Sequence, residues 1–311
     1  MNLNNLKKLK GDASNREFYR NKINKSIVVF SNNEKYKNIL VYEAINRLLL
    51  SKNIYTPKLI KKNYYKNFIE IEDLGNQTGL KKFKKFETKN YKKLFKILIK
   101  LEKIKNRKVK TFLNTIYKIP IYSNKLLLSE SMLFTQWYLP TKIKTNSKKI
   151  SLKFNMLLKK LIKKLKLKNK VLVHRDFHIS NIMIFKKKIY LIDNQDAVYG
   201  NQAYDLASLI DDVRIKVSFD KREKLYNEYI LQKKINKVEF RNDFEILSVL
   251  RNLKIIGIFT RLSIRDKKHS YLKMIPYAWK MINERRKDNS HFKELNNFLV
   301  KYFPKQIIHK K

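Results

Sequence analysis

An α+β fold in two lobes is predicted by three features of the sequence. The first 75 residues hold short apolar runs of strand length, at 26–30, 57–60 and 68–71, around one helix-like stretch at 36–50. From residue 81 onward, apolar positions recur instead at helical spacing. Within that helical portion, 182–185 and 189–192 flank Lys186-Lys187-Lys188 and read as a β-hairpin. The expected division is a small lobe at 1–75 and a mostly helical lobe at 76–311.

Residues 2–10 read as a short helix that stops at Gly11. Gly11-Asp12-Ala13-Ser14 then forms a small-residue loop whose backbone N–H groups can approach phosphate oxygens. Arg16, Phe18, Tyr19 and Arg20 lead from it into an antiparallel pair with 26–30. Ile39, Tyr42, Ile45, Leu48 and Leu49 give the helix at 36–50 its apolar positions, and Glu43 on it is read as a surface charge. Glu72-Asp73-Leu74-Gly75 closes the first lobe. Residues 81–110 are lysine-rich and helical, with Tyr91, Leu94, Phe95, Leu98 and Leu101 forming a core-facing stripe beneath a solvated basic face. A break begins at Pro120. Glu130, Leu133-Phe134 and Trp137-Tyr138-Leu139 mark a further helix, and 141–149 is a polar loop. Phe154, Leu157, Leu158, Leu161, Ile162 and Leu165 define an amphipathic helix that runs into the segment at 171–176, and the chain after Asp212 is helical.

The segment at 171–212 carries the chemistry. An apolar run, Val171-Leu172-Val173, ends in His174-Arg175-Asp176, and Asn181 follows with four residues between it and that Asp. Asp193 stands at the far end of the hairpin, which returns it to the loop that holds Asp176 and Asn181. Two carboxylates and an amide thus converge. Phosphoryl transfer uses such a set, with one carboxylate accepting the proton of the attacking hydroxyl and hard oxygen ligands holding Mg²⁺ on the nucleotide phosphates.

His174-Arg175-Asp176 with Asn181 resembles the catalytic loop of the protein-kinase-like fold, and Ile192-Asp193 resembles its metal-binding Asp. Asp196, three residues on, and Tyr204-Asp205-Leu206 are similar to the aminoglycoside phosphotransferase superfamily. Gly11-Asp12-Ala13-Ser14 with Arg16 and Tyr19, Glu130 with Leu133-Phe134 and Trp137-Tyr138-Leu139, and the 251–262 stretch with Arg265-Asp266 and Tyr271-Leu272 look like the cell-wall amino-sugar anomeric kinases. That group phosphorylates the 1-hydroxyl of N-acetylmuramate and N-acetylglucosamine in peptidoglycan recycling.

The resemblance implies a two-lobed protein-kinase-like fold that uses ATP and Mg²⁺ on a small sugar. Asp176 would be the proton acceptor, and His174 beside it in the catalytic loop would brace that loop, as would Asp205. Asn181 and Asp193 would hold Mg²⁺. Gly11, Ser14, Arg16, Glu72 and Leu74 would border the nucleotide, the last two at the hinge. Asp196, Glu130 and Trp137 are the candidates for contact with the sugar. There are two departures. The strand at 27–30 has no Lys to pair with the α and β phosphates, leaving Arg16, Arg20 and Lys25 as possible substitutes, and Asn194 stands where the family has an aromatic.

Composition limits the other readings. Hydrophobic residues at 43% and aromatics at 12% argue against disorder, and the absence of cysteine excludes disulfides and thiolate chemistry. A Lys or Asn interrupts every apolar run before the roughly 18 residues that span a bilayer, and 1–14 lacks an apolar signal core. We therefore expect a cytoplasmic protein with no membrane partner. The charge of +46, from 72 basic and 26 acidic residues, is spread along the chain and accompanied by abundant Asn, Ile, Tyr and Phe with only five Gly, a codon-bias pattern, so nucleic acid is not expected as a partner. A kinase for an aminoglycoside-like or choline-like metabolite is the alternative within the same chemistry. A basic nucleic-acid-associated protein on a kinase fold is the alternative outside it.

Overall fold

The computed structural model describes residues 5–9, 16–31, 35–63, 66–83 and 87–307. It divides into two compact units, Met1–Pro120 with Val171–Tyr199, and Ile121–Lys170 with Gly200–Lys311. These units cut the chain differently from the lobes expected at 1–75 and 76–311, because residues 76–120 and the loop and hairpin of 171–199 pack with the first unit.

The first unit is built on an antiparallel sheet of β1 (Leu6–Lys8), β2 (Arg16–Asn21), β3 (Ser26–Ser31), β4 (Leu59–Asn63) and β5 (Phe68–Glu72) in the order β1-β2-β3-β5-β4, with helix α1 (Lys35–Ser51) after β3. Directly paired residues of antiparallel strands share a face. Phe18↔Val29, Arg20↔Ile27, Ile27↔Ile71 and Val29↔Ile69 therefore line one side of the sheet, where Ile39, Leu40 and Tyr42 of α1 join the core. The helix expected at 2–10 is replaced over 6–8 by an edge strand. Leu6 and Lys8 pair with Asn21 and Tyr19, Lys8 meets Glu17 at 2.5 Å, and Leu9 packs on the core. The run at 57–60 enters the sheet late, since Pro57 has no N–H to donate.

The unit continues through α2 (Gly79–Lys82), α3 (Thr88–Glu102), and a hairpin of β6 (Lys108–Lys110) and β7 (Ile116–Lys118). The lysine-rich stretch is thus helical only to residue 102, and Val109 is buried from a strand. Next come β8 (Val171–Val173), the hairpin of β9 (Ile182–Phe185) and β10 (Lys188–Leu191), and β11 (Val198–Gly200), which pairs with β8. Lys186 and Lys187 turn the hairpin with φ of 46° and 61°, both left-handed, as a two-residue turn matched to strand twist requires. Lys188 consequently belongs to the strand and not to the turn.

The second unit is helical, with α4 (Asn124–Ser131), α5 (Leu139–Lys142), α6 (Ser147–Ile162), α7 (Ala203–Ile210), α8 (Phe219–Ile230), α9 (Lys237–Ile264), α10 (Ile275–Arg286), α11 (Lys293–Tyr302) and α12 (Pro304–Ile307). Its axis is α9, buried over most of its 28 residues. Gly257 in α9 meets the backbone of Leu133 and Phe134 so closely that a Cβ would lie 2.3 Å from the Leu133 carbonyl carbon. At that point the chain takes a π turn, Phe134–Tyr138. Pro140 has no N–H to return to the preceding turn, which favours the wider register. The polar loop expected at 141–149 shortens to 143–146, because α5 and α6 absorb its ends. A second anchor is Asp211, fully buried and gripped by Arg222 at 2.5 Å and Arg285 at 2.7 Å, with Ser248 donating to it at 2.5 Å.

Candidate active site

The catalytic loop is held by apolar pegs between its polar residues. Val171-Leu172-Val173, Phe177 and Ile179 are buried, whereas Asp176 and Asn181 remain half-buried at the surface of this packing. His174 is also buried, and its Nε2–H donates to the Ile192 carbonyl at 3.1 Å. That bond ties the loop to the end of the hairpin, one residue before Asp193. His178 N–H donates to the Asp176 carbonyl at 2.9 Å, and a 3₁₀ turn over Ile179–Asn181 follows. The Asn181 side-chain amide donates to that same carbonyl at 3.0 Å. Gly79 closes the packing from α2, where a Cβ would sit 2.7 Å from the Ile179 carbonyl oxygen.

The hairpin returns the chain as its spacing implied, with Ile192 N–H donating to the Asn181 carbonyl at 3.1 Å. Asp193 follows in a left-handed conformation, φ 66°, which Asp tolerates better than most residues. Its Oδ1 accepts from Arg16 at 2.9 Å and from Gln195 Nε2 at 2.9 Å. Gln195 also donates to the exposed carboxylate of Asp196 at 2.9 Å, and Arg175, itself at φ 73°, donates to the Asp196 carbonyl at 3.2 Å. Asn194 is fully buried, with its amide donating to Asn46 Oδ1 at 2.9 Å and to the Leu191 carbonyl at 3.1 Å.

Asn181 and Asp193 border a cavity of about 280 Å³. Leu9, Phe18, Ile27, Ile71, Leu74, Met183 and Ile192 give it apolar walls, and Glu72, Asp73 and Arg20 stand at its other end. Leu74 packs there with Met183, Tyr190 and Ile192. Arg20 closes that end through Asp73 at 2.5 Å and Asn76 at 2.9 Å, while Asp73 also accepts from Gly75 N–H at 2.8 Å. Apolar walls with a few polar groups suit a nucleoside whose phosphates reach Asp193.

Of the residues named from sequence, Asp176, His174, Asn181, Asp193, Asp196, Arg16, Glu72 and Leu74 belong to this one unit. Gly11 and Ser14 lie outside the described residues. Glu130, Trp137 and Asp205 belong to the other unit. There Glu130 accepts from the Tyr122 hydroxyl and is ion-paired with Lys254 at 2.9 Å. Trp137 is half-buried in the π turn, and Asp205 is buried in the first turn of α7. Glu43 is a correction. It is 4% exposed, pairs with Arg47 at 3.1 Å, and burial pushes its carboxyl up to about 7 against the pull of Arg47 and Lys62. Sequence reading missed Gln195, the donor shared by Asp193 and Asp196. Its position between two acids was the available signal.

The donor set fits a divalent cation. The Asn181 amide nitrogen is committed to Asp176, leaving the carbonyl oxygen as its acceptor, and Asp193 draws two donors toward one oxygen. No cluster of three or more His, Asp or Glu able to hold a metal occurs among the described residues. One carboxylate and one amide oxygen suit an ion that completes its shell with phosphate oxygens and water, as Mg²⁺ does on nucleotides.

The architecture is shared with solved phosphotransferases. Amicoumacin kinase, in a complex with AMP-PNP, Ca²⁺ and amicoumacin, superposes with a TM-score of 0.61 over 90% of this chain and 89% of that one at 14% identity. A choline/ethanolamine kinase family protein from Mesorhizobium loti gives 0.59 over 95% and 91% at 10% identity. The fold is thus that of the protein-kinase-like phosphotransferases. The chain belongs to the phosphotransferase enzyme family that includes the aminoglycoside kinases, whose profile matches residues 5–233. Its acceptor group is a hydroxyl. A protein named N-acetylmuramate/N-acetylglucosamine kinase from Pseudomonas putida is 29% identical over 288 residues, 88% of this chain and 81% of that protein. One of the same name from Neisseria meningitidis is 26% identical over 302 residues, 91% and 85% of the two chains. No helix among the described residues is long and apolar enough to cross a membrane.

Proposed function

We propose that this enzyme transfers the γ-phosphoryl group of ATP to the anomeric hydroxyl of N-acetylmuramate or N-acetylglucosamine, with Mg²⁺, in the cytoplasm where ATP is made. One observation carries the reading: the hairpin brings Asp193 back beside Asn181, which shares its loop with Asp176, at the edge of a cavity with mostly apolar walls. The sugar is inferred from the two relatives' names. Residues 1–75 would serve as the nucleotide lobe, with Glu72 and Leu74 at the base and Arg16 toward the phosphates.

Asp176 would accept the proton of the sugar hydroxyl, held at the required position by the two bonds to its own carbonyl. Asn181 and Asp193 would hold Mg²⁺, which when bound neutralises phosphate charge. The loose transition state of phosphoryl transfer leaves positioning and charge as the main work of the chain, and these residues are fixed by buried neighbours. Asp196 is exposed and partly oriented by Gln195, suited to accept from a sugar hydroxyl. Glu130 and Trp137 remain our candidates for sugar contacts from the second unit.

Phosphorus NMR tests this directly. Purified protein with ATP, Mg²⁺ and either amino sugar should yield a resonance coupled to the anomeric proton. ATP unchanged in both tubes, with product appearing on choline or an aminoglycoside, would sink the amino-sugar assignment.

A further inference from the structure

We propose that Arg16 is the phosphate-binding cation of this enzyme, standing in from β2 for the lysine that kinase-like folds place on the next strand; this rests on the ATP reading above. The positions of β3 on the cavity face are Ile27, Val29 and Ser31. Ile27 lines the cavity, and Val29, one step further along the same face, is buried between Phe18 and Ile69. No cation can arise there.

The register of β2 supplies one from the side. Arg16, Phe18 and Arg20 alternate along β2, so all three share the face of Ile27 and Val29. The two arginines are about 13 Å apart along the strand, four residues at roughly 3.3 Å each. Arg20 belongs to the base end, where Asp73, Asn76 and the Gly75 carbonyl engage it. Arg16 belongs to the metal end, 2.9 Å from Asp193. Lys25, the third candidate, sits in the exposed β2–β3 turn.

Arg16 is also built in. It is 9% exposed, with its guanidinium over the rings of Tyr42 at 5.6 Å and Phe18 at 5.9 Å. A buried guanidinium aimed at the metal carboxylate is a cation kept where phosphate oxygens arrive. With nucleotide absent it neutralises Asp193. With nucleotide bound it exchanges that carboxylate for phosphate oxygens, which its planar fork can engage in pairs.

The displaced function also accounts for Glu43. The α1 carboxylate that would pair with a strand lysine pairs instead with Arg47 on its own helix.

Calorimetric titration with adenosine and with MgADP tests the proposal without turnover. Arg16→Ala should weaken MgADP by at least about tenfold, the loss of hydrogen bonds to a charged group, while adenosine affinity holds. Arg16→Lys should recover part of the loss, and Arg20→Ala should weaken both ligands alike. Thermal unfolding establishes that each variant is folded. Unchanged MgADP affinity in Arg16→Ala, or an equal loss for adenosine, overturns the proposal and leaves the kinase reading standing. A wild-type protein that binds neither ligand overturns both.

Discussion

Asn194 Nδ2 donates to Asn46 Oδ1 at 2.9 Å, joining the residue beside Asp193 to the middle of α1. The polar side chain at 194 thus has a polar partner 148 residues away. Both residues are buried, and Asn46 is the second acceptor of the Asn194 amide beside the Leu191 carbonyl. Asn46→Ala should cost about 1–3 kcal/mol by leaving the Asn194 amide short of a partner. Adding Asn194→Leu should cost less than the sum of the two single changes, because the unpaired group is gone. Urea midpoints of the four proteins decide it, and strict additivity would show the contact is incidental.

Removing either carboxylate from the loop should separate chemistry from folding. Asp193→Ala is expected to lose turnover altogether, as the proposed Mg²⁺ ligand disappears. Asp176→Asn should fall by at least about 10²-fold, the low end for a lost general base. An ADP-release assay with ATP and amino sugar reads both. Full activity in Asp176→Asn removes the proton-acceptor role.

Glu43 should make the protein less stable as the pH rises. Its folded pKa near 7 exceeds the ordinary value of 4.5, because burial opposes its charge. The native state therefore holds the proton longer than the unfolded chain does, and stability declines between about pH 4.5 and 7, by on the order of 3 kcal/mol at most. Glu43→Gln should flatten that decline. Melting temperatures of the two proteins across the window give the comparison, and parallel curves would show that Glu43 is not the titrating group.

Asp211 is expected to be the costliest single position in the second unit. Burial opposes its ionisation, but Arg285 and Arg222 outweigh burial and hold the carboxyl far below the usual range. Asp211→Ala would leave two guanidiniums buried without their shared counter-charge, a loss of about 3–5 kcal/mol. A group with a depressed pKa stabilises above its unfolded value and ceases to do so as acid protonates it. The deficit of the variant should therefore be full at pH 7 in denaturant unfolding and shrink only below the ordinary carboxylate range.

The convergence of the loop and hairpin residues was legible because its information is local. His174, Asp176, Asn181 and Asp193 fall within twenty residues, and loop plus hairpin suffice to bring them together. The same holds for α1 and α9, whose apolar spacing survives the lysine excess. Long-range pairings were hidden. Nothing in the sequence beside Arg16 points to Asp193, 177 positions on, nor beside Asp211 to Arg285. Residues 6–8 went wrong for a related reason. Their lysines suit a helix surface equally well, and only pairing with β2 makes them a strand. The π turn was similarly invisible, being a register change at the close approach of Gly257 of α9 to Leu133 and Phe134.

Gly257 shows how unevenly this chain tolerates substitution. The chain has only five glycines in 311 residues, and one stands where even a methyl group would strike the Leu133 backbone. In a randomised library screened for folding alone, codon 257 should return glycine almost exclusively while the lysines of α3 drift freely, so mutational drift erases the chain's most conspicuous chemistry and preserves its least.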